Sequence, residues 1–376
     1  MLSGDEDVET VWDAISESRL APYNRFSSDR REALDLYAWN ARTSAAVFEL
    51  VGHLEVLLRN GLDRCLRDYF GEAARGIPWF MLQTAGGEHV TDAVDIVRAR
   101  LRAQEQGPKG RARALRETRD QIVAGLSFGF WSGLLGPKYE DLWRDCLHRA
   151  FPYSSGRRKD VATALEHIRK LRNRLAHHDS LINVDIPFEV RRIVQVASYL
   201  SPEAGKWLES QSRAMDTYAE RPGRLLEDTV VVAARDAWQL YNVAQCSAFV
   251  CQAGRAFRPV KRIAFYADRE IKKEIPSILY RRDDVEWTPE EADRLGASDD
   301  RWDRKIANVI KASRGEGWAE GRYQVFLLSR AGDPQHRQLS AGLSHQMAGR
   351  GSAFTQRQRY VSLHALETAS STSDLT

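Results

Sequence analysis

Cysteine is scarce in this chain of 376 residues, and its spacing never matches that of a metal site. The four cysteines are scattered, with no CxxC pair among them. Zinc sites and thioredoxin-like redox centres use closely spaced thiolates, so the sequence predicts a reduced protein with no metal and no cofactor. We expect Cys246 and Cys251 to pack in a core as small hydrophobic residues. The cysteines are Cys65, Cys146, Cys246 and Cys251.

Long apolar runs are also missing. No stretch of about 18 apolar residues occurs, so we expect no membrane-spanning helix. The first ten residues are acidic and lack the basic and apolar regions of a secretory signal. Internal repeats and a glycine-rich phosphate-binding loop are absent as well. These absences favour a cytoplasmic protein that does not act at a membrane.

The net charge is small, because 55 Lys and Arg residues are balanced by 52 Asp and Glu residues. A net charge of +3 is compatible with nucleic-acid binding without demanding it. One segment departs from the balance, since residues 98–119 carry eight Lys/Arg and two Glu. This segment is either an electrostatic track for an RNA backbone or a solvated helical hairpin, and the sequence leaves both open.

Apolar periodicity predicts an N-terminal part that is nearly all helical. Glycines beside large aromatic side chains over 126–135 predict a tightly packed piece of the core. A domain boundary is expected at 221–223, where Arg-Pro-Gly interrupts the pattern. The predicted helices are 29–70, 90–103, 111–125, 139–150, 161–177, 188–200 and 203–219.

The pattern changes after this boundary. Thr288 followed by Pro289 and two glutamates is typical of a helix start. We expect helices over 229–257 and 268–279, and strands over 262–266, 322–329 and 359–363. The fold class is therefore predicted to be mainly α. The expected domains are a helical bundle over 1–222, a smaller α+β domain over 223–368 and a disordered tail over 369–376.

The most informative feature is the run Leu-Arg-Asn-Arg-Leu-Ala-His-His at 171–178. It places Arg172, Asn173 and His177 at the end of a predicted helix, with Asn173 and His177 as (i, i+4) neighbours. Arginine binds phosphate, histidine transfers protons near neutral pH, and an amide orients either group. This combination is suited to cutting RNA without a metal ion.

Spacing alone does not decide the matter, because the pattern of Arg, four residues and His recurs from Arg359 to His364. The second match lies in a strand-like segment and lacks an Asn after the Arg. The match at Arg172 instead ends an apolar, periodic helix. A solvated basic helix end, in which Arg and His interact favourably with the helix dipole, remains the alternative interpretation.

Several segments in the same order resemble the Abi-like (abortive-infection) branch of the HEPN superfamily, over about residues 20–200. Residues 36–40 and 54–60 resemble its opening helix, 126–131 and 139–143 its middle, and 172–178 its signature. The resemblance implies a helical bundle that often dimerises. It also implies a metal-independent endoribonuclease of phage defence or of a toxin–antitoxin system. The region after about residue 225 carries no such resemblance.

The resemblance also assigns residues by position. It implies that Arg172 and His177 are the catalytic pair and that Asn173 is the polar residue after the Arg. Glu55, Arg59 and Asn60 match the first-helix positions, and His178 extends the signature. These four are the supporting candidates. Glu55 is a candidate partner for Arg59, or for Arg172 across the helix pair, and a surface ion pair of little energetic worth is equally compatible.

Two other functions stay open. The helical domain is alternatively a non-catalytic module that binds RNA or protein under the control of the C-terminal domain. A basic patch beside Tyr266 and Tyr280 would suit base stacking on single strands, or would simply cover the domain surface. The expected partners are RNA, a second copy of the chain, and an antitoxin or a phage-derived trigger. The patch residues are Lys261, Arg262, Lys272, Lys273, Arg281 and Arg282.

Overall fold

The computed structural model describes residues 4–82, 87–105, 118–222, 227–242, 246–315, 318–345, 354–355 and 357–375. The chain divides into two compact units. The first comprises Met1–Ile182 with Ile186–Pro222, and the second Asn183–Asp185 with Gly223–Thr376. The predicted fold class is confirmed, since the chain is mainly α with an α+β C-terminal region.

Helices build the first unit, and four of the predicted ones, 29–70, 90–103, 161–177 and 188–200, are confirmed. The predicted helix over 203–219 is divided in two, and 139–150 breaks into one helix between two 3₁₀ turns. The helices are α1 Asp5–Ile15, α2 Glu17–Asn24, α3 Arg30–Tyr69, α4 Glu72–Arg75, α5 Glu88–Glu105, α6 Arg119–Gly125, α7 Phe128–Gly133, α8 Glu140–Asp145, α9 Arg158–Ala176, α10 Ile186–Leu200, α11 Pro202–Gln211 and α12 Ala214–Ala219. The 3₁₀ turns are Trp79–Met81, Pro137–Tyr139 and Leu147–Ala150.

The 40-residue helix α3 is the spine of this unit. Asp29 caps its first turn, because the Asp29 carboxylate accepts the Glu32 backbone N–H at 2.8 Å. Helices α9, α10, α11 and α12 all pack against α3. The buried amide oxygen of Asn40 accepts the Leu181 backbone N–H at 2.7 Å. That bond fixes the chain just after α9 against α3.

The glycine-aromatic segment forms core, as predicted. Ser127 caps α7 by accepting the Phe130 N–H at 3.2 Å. Phe128 and Trp131 are completely or almost completely buried, and the ring of Trp131 packs against that of Trp79.

A buried polar network ties α3, α4 and α6 together. Arg119 Nη2 donates to Asp63 Oδ1 at 2.7 Å, and Arg119 Nε donates to Glu72. The indole N–H of Trp79 donates to the same Asp63 oxygen at 2.8 Å. Burial alone would lower the pKa of Arg119, but the hydrogen bonds to Glu72 and Asp63 outweigh it and raise that pKa.

The second unit is α+β. Strand β1 pairs in parallel with β3, and the other pairings are antiparallel. The sheets have the orders β10-β1-β3-β4-β9, β2-β7-β6 and β5-β8. The elements are β1 Thr229–Ala233, α13 Arg235–Asn242, β2 Ala248–Gln252, β3 Arg262–Ala267, β4 Glu270–Ile271, β5 Glu274–Ile275, β6 Ile278–Glu286, α14 Pro289–Gly296, α15 Arg301–Gly315, β7 Arg322–Leu328, β8 Arg337–Gln338, β9 Leu343–Ser344, β10 Gln358–Val361 and α16 Leu363–Thr368.

Several predictions for this unit are confirmed. Strands β3, β7 and β10 lie where the sequence predicts them. Thr288 caps α14 by accepting the Glu291 N–H at 3.2 Å, with Pro289 in the first turn. Cys246 and Cys251 are partly buried and each packs against a hydrophobic cluster, as small apolar side chains do.

Three predictions for this unit are wrong. The expected helix over 229–257 is a strand, a short helix and a second strand, because Val230, Val231 and Val232 favour a buried strand. The expected helix over 268–279 is two short strands, and it cannot form because Asp268 and Arg269 have positive φ. Residues 369–375 are not a disordered tail, since they include a 3₁₀ turn at Thr372–Asp374.

Candidate active site

The candidate site lies at the C-terminal end of α9. Five apolar residues at helical spacing bury one face of this helix. Arg172 and Asn173 therefore lie at the edge of that face, half-buried, while His177 is exposed. The buried residues are Val161, Leu165, Ile168, Leu171 and Leu175.

The end of α9 is a Schellman motif. His177 is the C-cap residue, and His178 follows it in the left-handed conformation with φ of 55°. The Asp179 N–H donates to the Arg174 carbonyl at 3.0 Å, and the His178 N–H donates to the Leu175 carbonyl at 3.1 Å. This motif reverses the chain at His178, so the two histidines leave the helix in different directions.

Arg172 lies on an aromatic ring instead of a carboxylate. Its guanidinium carbon is 6.0 Å from the ring centroid of Phe48 on α3. Within the part of the chain that the structure describes, no carboxylate forms an ion pair with Arg172, and its buried Nε has no hydrogen-bond partner. The site therefore holds a cation whose charge is not neutralised, which suits it to a phosphate.

Asn173 and His177 are brought together, as predicted from their spacing. The His177 backbone N–H donates to the Asn173 carbonyl at 3.0 Å, which places both residues on the same last turn. Neither side chain hydrogen-bonds to another described residue, so the amide and the imidazole are both available to a ligand.

The supporting residues of α3 are not brought to Arg172. Glu55 lies seven residues beyond Phe48, which is about 10 Å along the helix axis. Arg59 donates to Asn60 Oδ1 at 3.4 Å and to the Ala124 carbonyl at 3.5 Å. Among the described residues Glu55 forms an ion pair with neither Arg59 nor Arg172, so both pairings predicted for it are absent within one chain.

Most of the predicted basic patch of the second unit is neutralised. Four of its six cations lie in ion pairs, which leaves Lys261 and Lys273 exposed. The two remaining lysines do not form the continuous basic surface that the sequence suggested. The pairs are Arg262–Asp228 at 2.7 Å, Lys272–Glu270 at 3.1 Å, Arg281–Asp185 at 2.8 Å and Arg282–Asp303 at 2.5 Å.

The choice between an RNA track and a solvated hairpin for the basic segment 98–119 stays a prediction, because residues 106–117 lie outside the described residues. Its first part, up to residue 105, belongs to α5, and Arg119 is used in the network with Asp63 and Glu72.

Sequence reasoning missed the role of Phe48. Large aromatic side chains usually lie in the core, yet the side chain of Phe48 is 42% exposed. The available signal was its position, since Ala45, Phe48, Gly52 and Val56 all lie on the outer side of the helix.

No family model, curated protein or solved structure matches the chain. Across the described ranges, none of the helices combines the length and the apolar character that crossing a membrane requires. The same ranges contain no cluster of three or more His, Cys, Asp or Glu residues placed to hold a metal ion.

Proposed function

We propose that this protein is a metal-independent endoribonuclease of a bacterial antiphage, abortive-infection or toxin–antitoxin system. The observation that carries the proposal is the unneutralised guanidinium of Arg172, held on the same helix end as the exposed imidazole of His177. The resemblance of residues 20–200 to the Abi-like HEPN branch supports the same activity.

The proposed reaction uses the nucleophile that RNA carries. The 2′-hydroxyl attacks the adjacent phosphorus while His177 accepts its proton, and the bond to the 5′-oxygen breaks. Arg172 stabilises the charge that develops on the phosphorane oxygens. Asn173 orients the phosphate or the imidazole. The products carry 2′,3′-cyclic phosphate and 5′-hydroxyl ends.

The leaving 5′-oxygen needs a proton from an acid. We assign that role to His177 of a second copy, because each chain supplies one such pair of Arg and His. The functional unit is then a homodimer that acts on RNA in the cytoplasm. The second unit either restrains the ribonuclease until an antitoxin is lost or a phage-derived trigger arrives, or selects the RNA.

The experiment is cleavage of a mixed RNA pool by the full chain in EDTA. We expect the wild type to cut at defined positions and to leave cyclic phosphate termini. We expect His177→Ala and Arg172→Ala to cleave RNA at least about 10²-fold more slowly, as for loss of a general acid–base group. His364→Ala is the matched control, because His364 belongs to the second Arg-x₄-His match, which runs from β10 into the first turn of α16, and this variant should cleave RNA at the wild-type rate.

Three outcomes would overturn the proposal. Cleavage that requires added magnesium would contradict the metal-independent reaction, and cleavage of DNA would contradict attack by the 2′-hydroxyl. If RNA is bound by the wild type but never cut, and Arg172→Ala weakens that binding, the protein is a non-catalytic RNA-binding module instead.

A further inference from the structure

Strand β10 forms one edge of the five-stranded sheet in the second unit, where it pairs antiparallel with β1. The Ala233 N–H donates to the carbonyl of Arg357, the residue directly opposite, at 3.2 Å. Because bonded and non-bonded pairs alternate along an antiparallel ladder, the backbone N–H and C=O groups of Gln358 and Tyr360 point away from β1. Within the described ranges no other segment bonds to these outward groups. The outer edge of β10 therefore keeps unpaired backbone donors and acceptors.

A cavity of about 570 Å³ lies along this edge, and the consecutive residues 358–362 line it. Tyr360 and Val361 are neighbours in a strand, so their side chains face opposite sides of the sheet. The cavity is lined by Arg258, which lies over the Tyr360 ring, and by Leu375, which packs in the same hydrophobic cluster as Val361. A cavity bordered from both sides of the sheet lies beyond its edge. Its volume is in the range of ligand sites.

The charges that line the cavity leave one cation without a counter-ion. Glu227 accepts from Arg258 at 2.6 Å, and the Asp374 carboxylate accepts two backbone N–H groups of its own turn at 2.8 and 3.0 Å. The other charged lining residue is Arg359, whose guanidinium carbon lies 4.6 Å from the ring centroid of Phe354. No carboxylate among the residues that the structure describes pairs with Arg359. The edge thus combines unpaired backbone groups with a positive charge.

We propose that the outer edge of β10 binds an extended, acidic segment of a partner protein, which adds a strand to the five-stranded sheet. Backbone hydrogen bonds supply affinity in this mode of binding, and Arg359 selects a carboxylate side chain. A charged side chain also discourages other sheet edges from pairing with β10, so a matching carboxylate is the condition for docking. The four residues of β10 span about 13 Å and match a segment of about four to six residues.

This docking site does not rest on the proposed ribonuclease activity. It gives the second unit a role in recognising a protein, which the choice between restraint and RNA selection leaves open. Arg359 and the outward backbone of β10 belong to the second unit, whereas Arg172 and His177 belong to the first. Substitution of Arg359 should therefore leave basal RNA cleavage unchanged.

Peptide selection on the full chain tests the charge. The probe is a phage-displayed library of random peptides, and enriched sequences are resynthesised with fluorescein for anisotropy titrations. We expect enrichment of Asp and Glu, and binding that weakens at least about tenfold in Arg359→Glu but little in Arg359→Lys. Arg337→Glu is the matched control, because Arg337 is an exposed arginine on the short strand β8 of another sheet. Failure to enrich acidic peptides, or equal weakening in Arg337→Glu, overturns the proposal.

N-methylation of the selected peptide tests strand addition separately from charge. Only every second N–H of an added strand faces β10, so we expect N-methyl groups to weaken binding at least about tenfold at alternate positions and to change it little between them. Weakening at every position or at none overturns strand addition. Complete displacement of the peptide by millimolar inorganic phosphate would make the cavity a small-anion site. Oligomers of the full chain that the peptide dissociates would make a second copy the occupant, and either result also overturns the proposal.

Discussion

The guanidinium of Arg172 lies over the ring of Phe48, with 6.0 Å between the guanidinium carbon and the ring centroid. Arg119, on the same unit, is instead held between the carboxylates of Asp63 and Glu72. Both arginines are positioned, but only the charge of Arg119 is neutralised. An aromatic support therefore leaves Arg172 able to bind an anion, whereas Arg119 is committed to the fold.

Replacing the aromatic support should weaken the site. Phe48→Leu removes the cation–π contact but keeps an apolar side chain at position 48. Such contacts contribute about 0.5–1 kcal/mol, so we expect RNA cleavage to slow by about two- to fivefold. The measurement is single-turnover cleavage with Phe48→Tyr as the control, which keeps the ring and should retain the rate. An unchanged rate in Phe48→Leu would show that the ring does not position Arg172.

Removing Arg119 should destabilise the first unit strongly. Arg119→Met leaves Asp63 and Glu72, only 8% and 9% exposed, as buried carboxylates without their cation. Breaking a buried pair in this way costs about 3–5 kcal/mol in the free energy of unfolding. The control is Arg144→Met, whose pair with Asp141 is exposed on both sides and should cost under about 1 kcal/mol. Equal midpoints in a urea titration would refute this account.

Substitutions of His177 and His178 should have different effects on RNA cleavage. His178 occupies a left-handed conformation with φ of 55°, which costs a non-glycine residue about 1 kcal/mol. We expect His178→Gly to raise the melting temperature slightly and to leave RNA cleavage intact, because glycine adopts this conformation without strain. His177→Gly is the matched change and should slow cleavage by at least about 10²-fold. Loss of cleavage in His178→Gly would contradict this prediction and would give the imidazole of His178 a role in the reaction.

Helices with strong apolar periodicity were predictable, and α3 and α9 are found within one to three residues of their expected ends. Apolar periodicity gave the wrong secondary structure at two places in the second unit, where backbone preferences decide the conformation. The β-branched residues 230–232 favour a strand despite their helical neighbourhood, and left-handed residues at 268 and 269 end any helix there. The β-branched residues are a weak sequence signal for the strand at 230–232. The left-handed backbone at 268 and 269 has almost no sequence signal, because a positive φ in Asp or Arg depends on the surrounding fold.

The candidate site was predictable only in part. The (i, i+4) placement of Asn173 and His177 follows from helix geometry and is confirmed. The ring that Arg172 contacts could not be predicted from neighbouring positions, because Phe48 lies on another helix, more than 100 residues away along the chain. Likewise, ion pairs such as Arg281 with Asp185 join residues far apart in sequence, so a cluster of cations in the sequence need not be a basic surface.

Helix α3 also links two distant parts of the first unit through one continuous backbone. Its 40 uninterrupted residues span about 60 Å and connect the Asp63 anchor to the ring under Arg172. Because both residues belong to one continuous helix, we expect a displacement of α3 at Asp63 to be passed on to Phe48 along its backbone. We therefore expect mutations on α3 far from Phe48 to alter the position of Arg172. A partner that binds either end of α3 would likewise change the geometry of the candidate site.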